Sequence, residues 1–273
     1  MNQYKKQNTL FCFAGLNVLE DESLALETAH FLKETTEKLN IPFAFKASFD
    51  KANRSSIKSY RGPGLDKGLQ ILQTVKDKLH IPLLTDLHEP FQADPVAQVV
   101  DILQIPAFLC RQTDLVVATS KAAQKYQRLI HVKKAQFMAP WDSKNIIDKI
   151  TEVMGHSSSI ILCERGSCFG YNNLVVDMLA IYEMQQLGVP VTIDATHAVQ
   201  LPGGQKTSTG GRRYGVPLIA KAAVAAGADG VFLEFHPEPQ KAKCDGPSCL
   251  PLTSAPQLLK QLRDIYNLTH KEQ

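Results

Sequence analysis

No apolar run in these 273 residues approaches the ~18 needed to cross a bilayer, and no charged start leads into an apolar signal region. The chain therefore reads as cytoplasmic, without a membrane partner. A basic stripe is missing too: net charge is +3, and lysines and arginines sit singly or in pairs after apolar segments. A nucleic-acid surface would need such a stripe, so a local site is favoured over a nucleic-acid partner. Six cysteines are present, but reduced thiols are the cytoplasmic default, and neither Cys163-x4-Cys168 nor Cys244-x4-Cys249 has the two-residue spacing of a zinc knuckle. No Gly-x-Gly-x-x-Gly follows the first apolar segment, which argues against a dinucleotide fold. With no low-complexity tract or linker, 1–273 is expected to form one domain, its first eight residues polar and loose.

What is present is an alternation. Apolar residues make up 44% of the chain, enough for a sizeable core. Thr9 to Ala14 reads as a buried strand ending in a turn at Gly15-Leu16-Asn17, followed by a helical stripe from Glu22 to Leu39. Strands are then expected at Ile41 to Ser48, Ile81 to Leu87, Asp101 to Ile105, Leu129 to Lys133, Ser159 to Cys163, Pro190 to Ile193 and Gly230 to Phe235. Between and after them, helical periodicity runs through Leu65 to Leu79, Val96 and Val99, Asp114 to Gln127, Ile146 to Val153, Val175 to Leu187, Val216 to Ala226 and Leu258 to Ile265. The strands are near-continuous apolar runs, as expected when both faces are buried. About eight strand–helix units of this kind predict an α/β fold, a single (β/α)8 TIM barrel.

In such a barrel the chemistry sits where strands end. Those ends carry Asn17, Lys46 and Ser48, Asp86 and His88, Gln104, Lys133 and Lys134, Glu164 and Arg165, Asp194 and His197, and Glu234 and His236. Lys46, Lys51, Arg54, Arg111, Lys133 and Arg165 are cations that can converge on one pocket, which is expensive unless anions fill it. Two phosphorylated substrates, one also a carboxylate, bring about four to five negative charges. A strand-end lysine such as Lys46 or Lys133 can also form a Schiff base. His88 beside Glu89 reads equally as a structural pair, and Trp141 and Tyr171 as packing residues. His30, His80, His131, His156 and His270 are expected on helices, in turns or at the terminus, without a catalytic part. Leu201 to Arg213 is long, Gly-rich and basic, a candidate lid.

The segments FKASFDKANRSS, SYRGPG, QIPAFLCRQTDL, VKKAQF, ERGSCFGYNNLVVD, DATHAVQLPGG and HPEPQKAKCDGPSCLPL together resemble the 3-deoxy-D-manno-octulosonate 8-phosphate synthases, from about Ala14 to Leu252. The related heptulosonate 7-phosphate synthases typically carry Lys-Pro-Arg-Thr-Ser where this chain has Lys51-Ala52-Asn53-Arg54-Ser55. The resemblance implies condensation of phosphoenolpyruvate with D-arabinose 5-phosphate and water for lipopolysaccharide biosynthesis, by a homotetramer. It places Lys46, Ser48, Lys51 and Gln104 on the carboxylate end of phosphoenolpyruvate, and the Ala107 backbone, Lys133 and Arg165 on its phosphate. Asn53, Arg54 and Ser55 would hold the sugar phosphate, with Phe108 and Arg111 reaching in from a neighbouring subunit. Lys51, His197, Asp245 and Asn17 would form the catalytic set, and Asp86 and Glu234 complete the substrate site.

Family members divide into metal-dependent and metal-independent types. The metal set is a Cys, a His, a Glu and an Asp; here His197, Glu234 and Asp245 match, but Asn17 holds the cysteine position. Cys244-Asp245-Gly246-Pro247-Ser248 resembles the metal-independent branch, whereas Ala139-Pro140-Trp141 and Leu201-Pro202-Gly203-Gly204 resemble the other. A neutral amide is a much poorer transition-metal ligand than a thiolate, so no required metal or other cofactor is expected. The competing readings are a heptulosonate synthase, a Schiff-base aldolase and a non-catalytic phosphosugar-binding barrel.

Overall fold

Eight parallel strands close on themselves in the computed structural model, which describes Tyr4, residues 9–204 and residues 210–270. The strands are β1 (Phe11–Val18), β2 (Phe43–Ser48), β3 (Leu83–Asp86), β4 (Ile102–Ile105), β5 (Leu129–Lys133), β6 (Ile160–Glu164), β7 (Val191–Asp194) and β8 (Gly230–His236). They pair in chain order, and β1 against β8, Phe11 opposite Gly230, completes the barrel. The helices are α1 (Glu22–Lys38), α2 (Leu65–Leu79), α3 (Ala93–Val99), α4 (Thr113–Tyr126), α5 (Lys144–Met154), α6 (Leu179–Gln185), α7 (Val216–Ala225) and α8 (Ala255–Thr269). This is the (β/α)8 TIM barrel expected from the alternation. None of its described helices is long and apolar enough to cross a membrane.

Strand parity explains both the core and the site. Residues such as Cys12, Phe45, Leu103, Val132 and Leu233 face outward and pack against the helices. Their neighbours face the barrel axis, since successive side chains alternate sides. At the N-terminal end the axial positions are apolar: Phe11, Phe13, Ala44, Leu84, Ile102 and Phe232 form a second cluster with Tyr4, whose hydroxyl donates to the Phe43 carbonyl at 2.5 Å. Two residues further along most of these strands the same parity delivers Lys46, Asp86, Gln104 and Glu234. The apolar plug thus carries a polar layer on top of it.

Several local expectations are corrected. Gly15, Leu16 and Asn17 are not a turn but the end of β1, where the three steps from Gly15 to Val18 run against two, Lys46 to Ser48, on β2. A side chain at Gly15 would run into the Lys46 carbonyl oxygen, so glycine permits that close approach. Val175 does not open a helix: it belongs to a two-residue hairpin, Ser167–Cys168 against Leu174–Val175, and α6 starts at Leu179. A helical turn, Ala195–Ala198, follows β7 directly, because the Asp194 carboxylate accepts from the His197 N–H at 2.9 Å and caps it. Trp141 and Tyr171 are not packed, being 61% and 100% exposed. His131 lies on neither helix nor turn but in the middle of β5, wholly buried. The expected loose segment at residues 1–8 falls outside the described residues except for Tyr4, as does 205–209 of the Leu201 to Arg213 loop.

Candidate active site

At the C-terminal mouth of the barrel lies a cavity of about 440 Å³. Its first wall is the stretch after β2. The Lys51 N–H donates to the Arg61 carbonyl at 2.7 Å, and Arg61 and Asp50 form a two-point ion pair, so residues 50–61 return on themselves as a closed loop. Gly62, at φ +120°, takes the chain back past the Phe49 carbonyl, where a side chain has no room. The loop presents Lys51, Asn53, Arg54 and Ser55 to the cavity. Opposite stand Gln104, Ala107 and Phe108, then Lys133, Arg165, His197 and Asp245, with Lys46 and Asp86 between.

The polar layer is built from paired charges. Lys46, 1% exposed, donates to Glu234 Oε1 at 2.6 Å and to the carbonyls of Asn17 and Leu16 at 2.9 and 3.3 Å. Lys133 Nζ meets Asp194 Oδ2 at 2.5 Å, and that same oxygen lies 2.7 Å from His197 Nδ1. Burial pushes the Asp194 carboxyl up, but His197 and Lys133 outweigh it and hold it well below the carboxylate range. Glu234 behaves alike: against its burial, His197 and Lys46 bring it down to about 2. Asp86 is also held well below its ordinary value, by the hydrogen bond from His88 at 3.1 Å and by Lys51, against burial. His88 thus partners Asp86 rather than the expected Glu89.

Two cations are not paired this way. Among the described residues no carboxylate comes within ion-pair distance of Lys51 or Arg165, although both are buried. Burial pulls Lys51 down, yet the more distant Glu234 and Asp86 outweigh it and keep its ammonium above the ordinary lysine value. Burial lowers Arg165; one of its terminal nitrogens donates to Gln200 at 3.2 Å and the other has no partner. Unmatched buried donors of this kind suit an incoming anion.

His197, Glu234 and Asp245 bring three ligand atoms within 4.8 Å of one another, a set that can hold a metal ion. The fourth side chain is Asn17. Its amide nitrogen donates to Glu234 Oε2 at 2.5 Å and to Asp245 Oδ2 at 3.0 Å, filling with N–H groups the position a cation would take between the two carboxylates. Asp245 itself sits at φ +50°, in a left-handed conformation that aspartate tolerates better than most residues.

Most expected site residues therefore meet. Asn17, Ser48 and Glu234 stand behind the cavity wall rather than on it, and the Ser48 hydroxyl is buried without a partner. Arg111 does not converge on the pocket of its own chain: it is exposed and outside the lining, while Phe108, 56% exposed, stands at the rim of its own cavity. Lys134 turns away to pair with Glu164 at 3.4 Å. Gln136 and Gln200 line the cavity without having been singled out from sequence; their only signal was a place just beyond Lys133 and His197. Arg54 donates to the Cys244 sulfur, a contact not expected between residues so far apart along the chain.

Comparison with known proteins identifies the family. A model of the DAHP synthetase I family matches residues 4–270. The chain is similar to proteins named 2-dehydro-3-deoxyphosphooctonate aldolase. It is 55% identical over 256 residues to the protein of Shewanella sp. (strain MR-4) and 54% identical to that of Shewanella amazonensis. The Shewanella baltica (strain OS155) protein is also 55% identical. Each similarity covers 94% of this chain and 89% of the relative.

Proposed function

The chain belongs to the DAHP synthetase I family, and within it we propose that it condenses phosphoenolpyruvate with D-arabinose 5-phosphate and water to give 3-deoxy-D-manno-octulosonate 8-phosphate and phosphate, for lipopolysaccharide biosynthesis. The observation that carries this reading is the near full-length similarity to enzymes named for the eight-carbon product. The family description names the seven-carbon product, so a heptulosonate synthase is the second reading. Lys46 and Lys133, the lysines a Schiff-base aldolase would use, are each held against a buried carboxylate, which speaks against that chemistry.

C3 of phosphoenolpyruvate attacks the sugar aldehyde, positive charge grows at C2, and water adds there. The C2–O bond to phosphate then breaks. Lys51, kept protonated by the surrounding carboxylates, donates to the aldehyde oxygen. Lys46 and Gln104 hold the enolpyruvate carboxylate end, with Ser48 behind them. Lys133, the Ala107 backbone and Arg165 take its phosphate, and Asn53, Arg54 and Ser55 the sugar phosphate. His197, Asp245 and Asp86 orient the water. No metal is required in this reading, and what supports it is the Asn17 amide bonded to both carboxylates. The protein works in the cytoplasm as a homotetramer in which Arg111 and Phe108 of each chain complete a neighbour's site. The exposure of Phe137, Trp141, Phe169, Tyr171 and Leu179 supports association.

A phosphate-release assay offering arabinose 5-phosphate and erythrose 4-phosphate side by side, with and without chelator, tests the reading. Faster turnover of the five-carbon sugar, unchanged by chelation, is expected. Preference for the four-carbon sugar refutes the substrate assignment, and activity lost on chelation and restored by divalent cation refutes the metal assignment.

A further inference from the structure

Beneath the cavity floor lies a buried hydrogen-bond chain that meets the proposed chemistry only through Gln104. The His131 ring is stacked on Phe232 at 6.0 Å and edge-on to Phe13 at 5.2 Å. Its Nδ1 lies 3.0 Å from Gln104 Oε1, and its Nε2 2.8 Å from Thr192 Oγ1. Thr192 Oγ1 is in turn 3.2 Å from the Leu162 carbonyl. Of these side chains only Gln104 reaches the cavity.

Such a chain has a direction. Thr192 carries one hydroxyl proton and a neutral imidazole carries one ring proton. If Thr192 donates to Nε2, the ring proton sits on Nδ1 and goes to Gln104 Oε1, which leaves the Gln104 NH2 for the cavity. If Thr192 donates to Leu162 instead, every link reverses, and Gln104 must show its oxygen to the cavity. The placement of Gln104 Oε1 against Nδ1 selects the first direction, and the Thr192 hydroxyl, 2.8 Å from Nε2 and 3.2 Å from the Leu162 carbonyl, is within reach of both acceptors. The cavity charge selects it too, because an amide oxygen aimed at an anion is repelled while an N–H is attracted. Burial, helped by Lys133, lowers the imidazole to about 3 and keeps it neutral at working pH.

We propose that His131, oriented by Thr192, is a positioning residue that locks Gln104 with its NH2 turned into the cavity, so that the floor offers a hydrogen-bond donor to an anionic substrate group. The proposal rests on the anionic-substrate reading above. His131 never touches the substrate itself; it decides which end of an amide the substrate meets.

Two measurements test this. The first is the ring-nitrogen spectrum of the protein labelled with 15N-histidine, with His131 assigned through its contacts to Phe13 and Phe232. Protonated Nδ1 and bare Nε2, constant from about pH 5 to pH 8, are expected. Protonated Nε2 overturns the proposal, and this readout does not depend on turnover. The second is kinetic. His131→Phe and Gln104→Ala should each raise KM for phosphoenolpyruvate about tenfold with little change in kcat, and the double variant should be no worse than Gln104→Ala alone. Thr192→Val should raise the same KM, and Thr192→Ser should restore it. Losses that multiply, or that fall on kcat alone, overturn the proposal. Should His131→Phe not fold, the tautomer and the Thr192 pair decide. A wild-type protein that released no phosphate would refute the function proposed above, and the tautomer measurement would then decide this proposal by itself.

Discussion

Replacing Glu234 with glutamine isolates the electrostatic centre of the polar layer. Its carboxylate accepts from Lys46 at 2.6 Å and from Asn17 at 2.5 Å, with His197 Nε2 3.6 Å away, and it is wholly buried. A glutamine of the same shape offers one oxygen for two donors, and its NH2 must then confront either an ammonium or another NH2. Breaking a buried pair by neutralising one partner costs about 3–5 kcal/mol. An independent route gives a similar figure. The carboxyl is held at about 2 against an ordinary 4.5, and at about 1.4 kcal/mol per pH unit that gap corresponds to about 3–4 kcal/mol. Because the folded value is depressed, this stability is fully present above pH 4.5 and is lost as pH falls toward about 2. Urea unfolding followed by far-UV circular dichroism should therefore show a deficit of about 3 kcal/mol or more for Glu234→Gln at pH 7. That deficit should narrow at each step below pH 4.5, since only the wild type has this contribution to lose. A deficit under about 1 kcal/mol at pH 7, the range of an exposed pair, or one independent of pH across the acid limb, would refute the reasoning.

Two further perturbations probe the same corner. Asn17→Cys replaces the amide between Glu234 and Asp245 with a thiol beside three potential ligands, so affinity for a divalent transition metal should rise roughly tenfold or more in equilibrium dialysis. Unchanged binding would mean that the three side chains are not arranged as a site. Gly15→Ala drives a methyl into the Lys46 carbonyl and forces β1 away from β2, which should lower the thermal midpoint by roughly 4–8 °C. A midpoint within about a degree of wild type would show that the close approach relaxes freely.

The barrel was legible because burial on both faces leaves an unmistakable mark: β5 was read residue for residue at Leu129 to Lys133, and α2 at Leu65 to Leu79. What failed were features set by partners distant in sequence. The end of β1 reads as a turn because Gly15 and Asn17 favour turns, yet the approach of the Lys46 backbone keeps it extended and bulged. The Ala195–Ala198 turn is too short for periodicity and exists because Asp194 caps it. His131 is the instructive miss. Its parity with Lys133 on β5 already placed it on the barrel axis, and only the habit of assigning histidines to surfaces hid that. The cationic residues were readable one by one, but not their pairing.

That pairing alters the charge argument for the ligands. From sequence, several cations at one mouth seemed to call for the four to five negative charges of two phosphorylated substrates. The folded chain sets Lys46 against Glu234 and Lys133 against Asp194, and it places Asp86 and Asp245 near Lys51. Five cations at the cavity, counting Arg54 and Arg165, thus share it with five carboxylates, since Glu89 lines it too. Much of the positive charge is already answered, so one chain alone does not match two phosphates and a carboxylate. The carboxylates do different work: they hold the Lys46 and Lys133 ammonium groups in fixed positions in the cavity wall. Affinity then falls on the cations without a carboxylate partner, Lys51 and Arg165, and on Arg54, which is held only by the Cys244 sulfur. Arg111 is exposed and outside the lining of its own cavity, so in the proposed homotetramer its arrival from a second copy would add positive charge. In the proposed homotetramer, assembly would then serve the charge balance of the site as well as its shape.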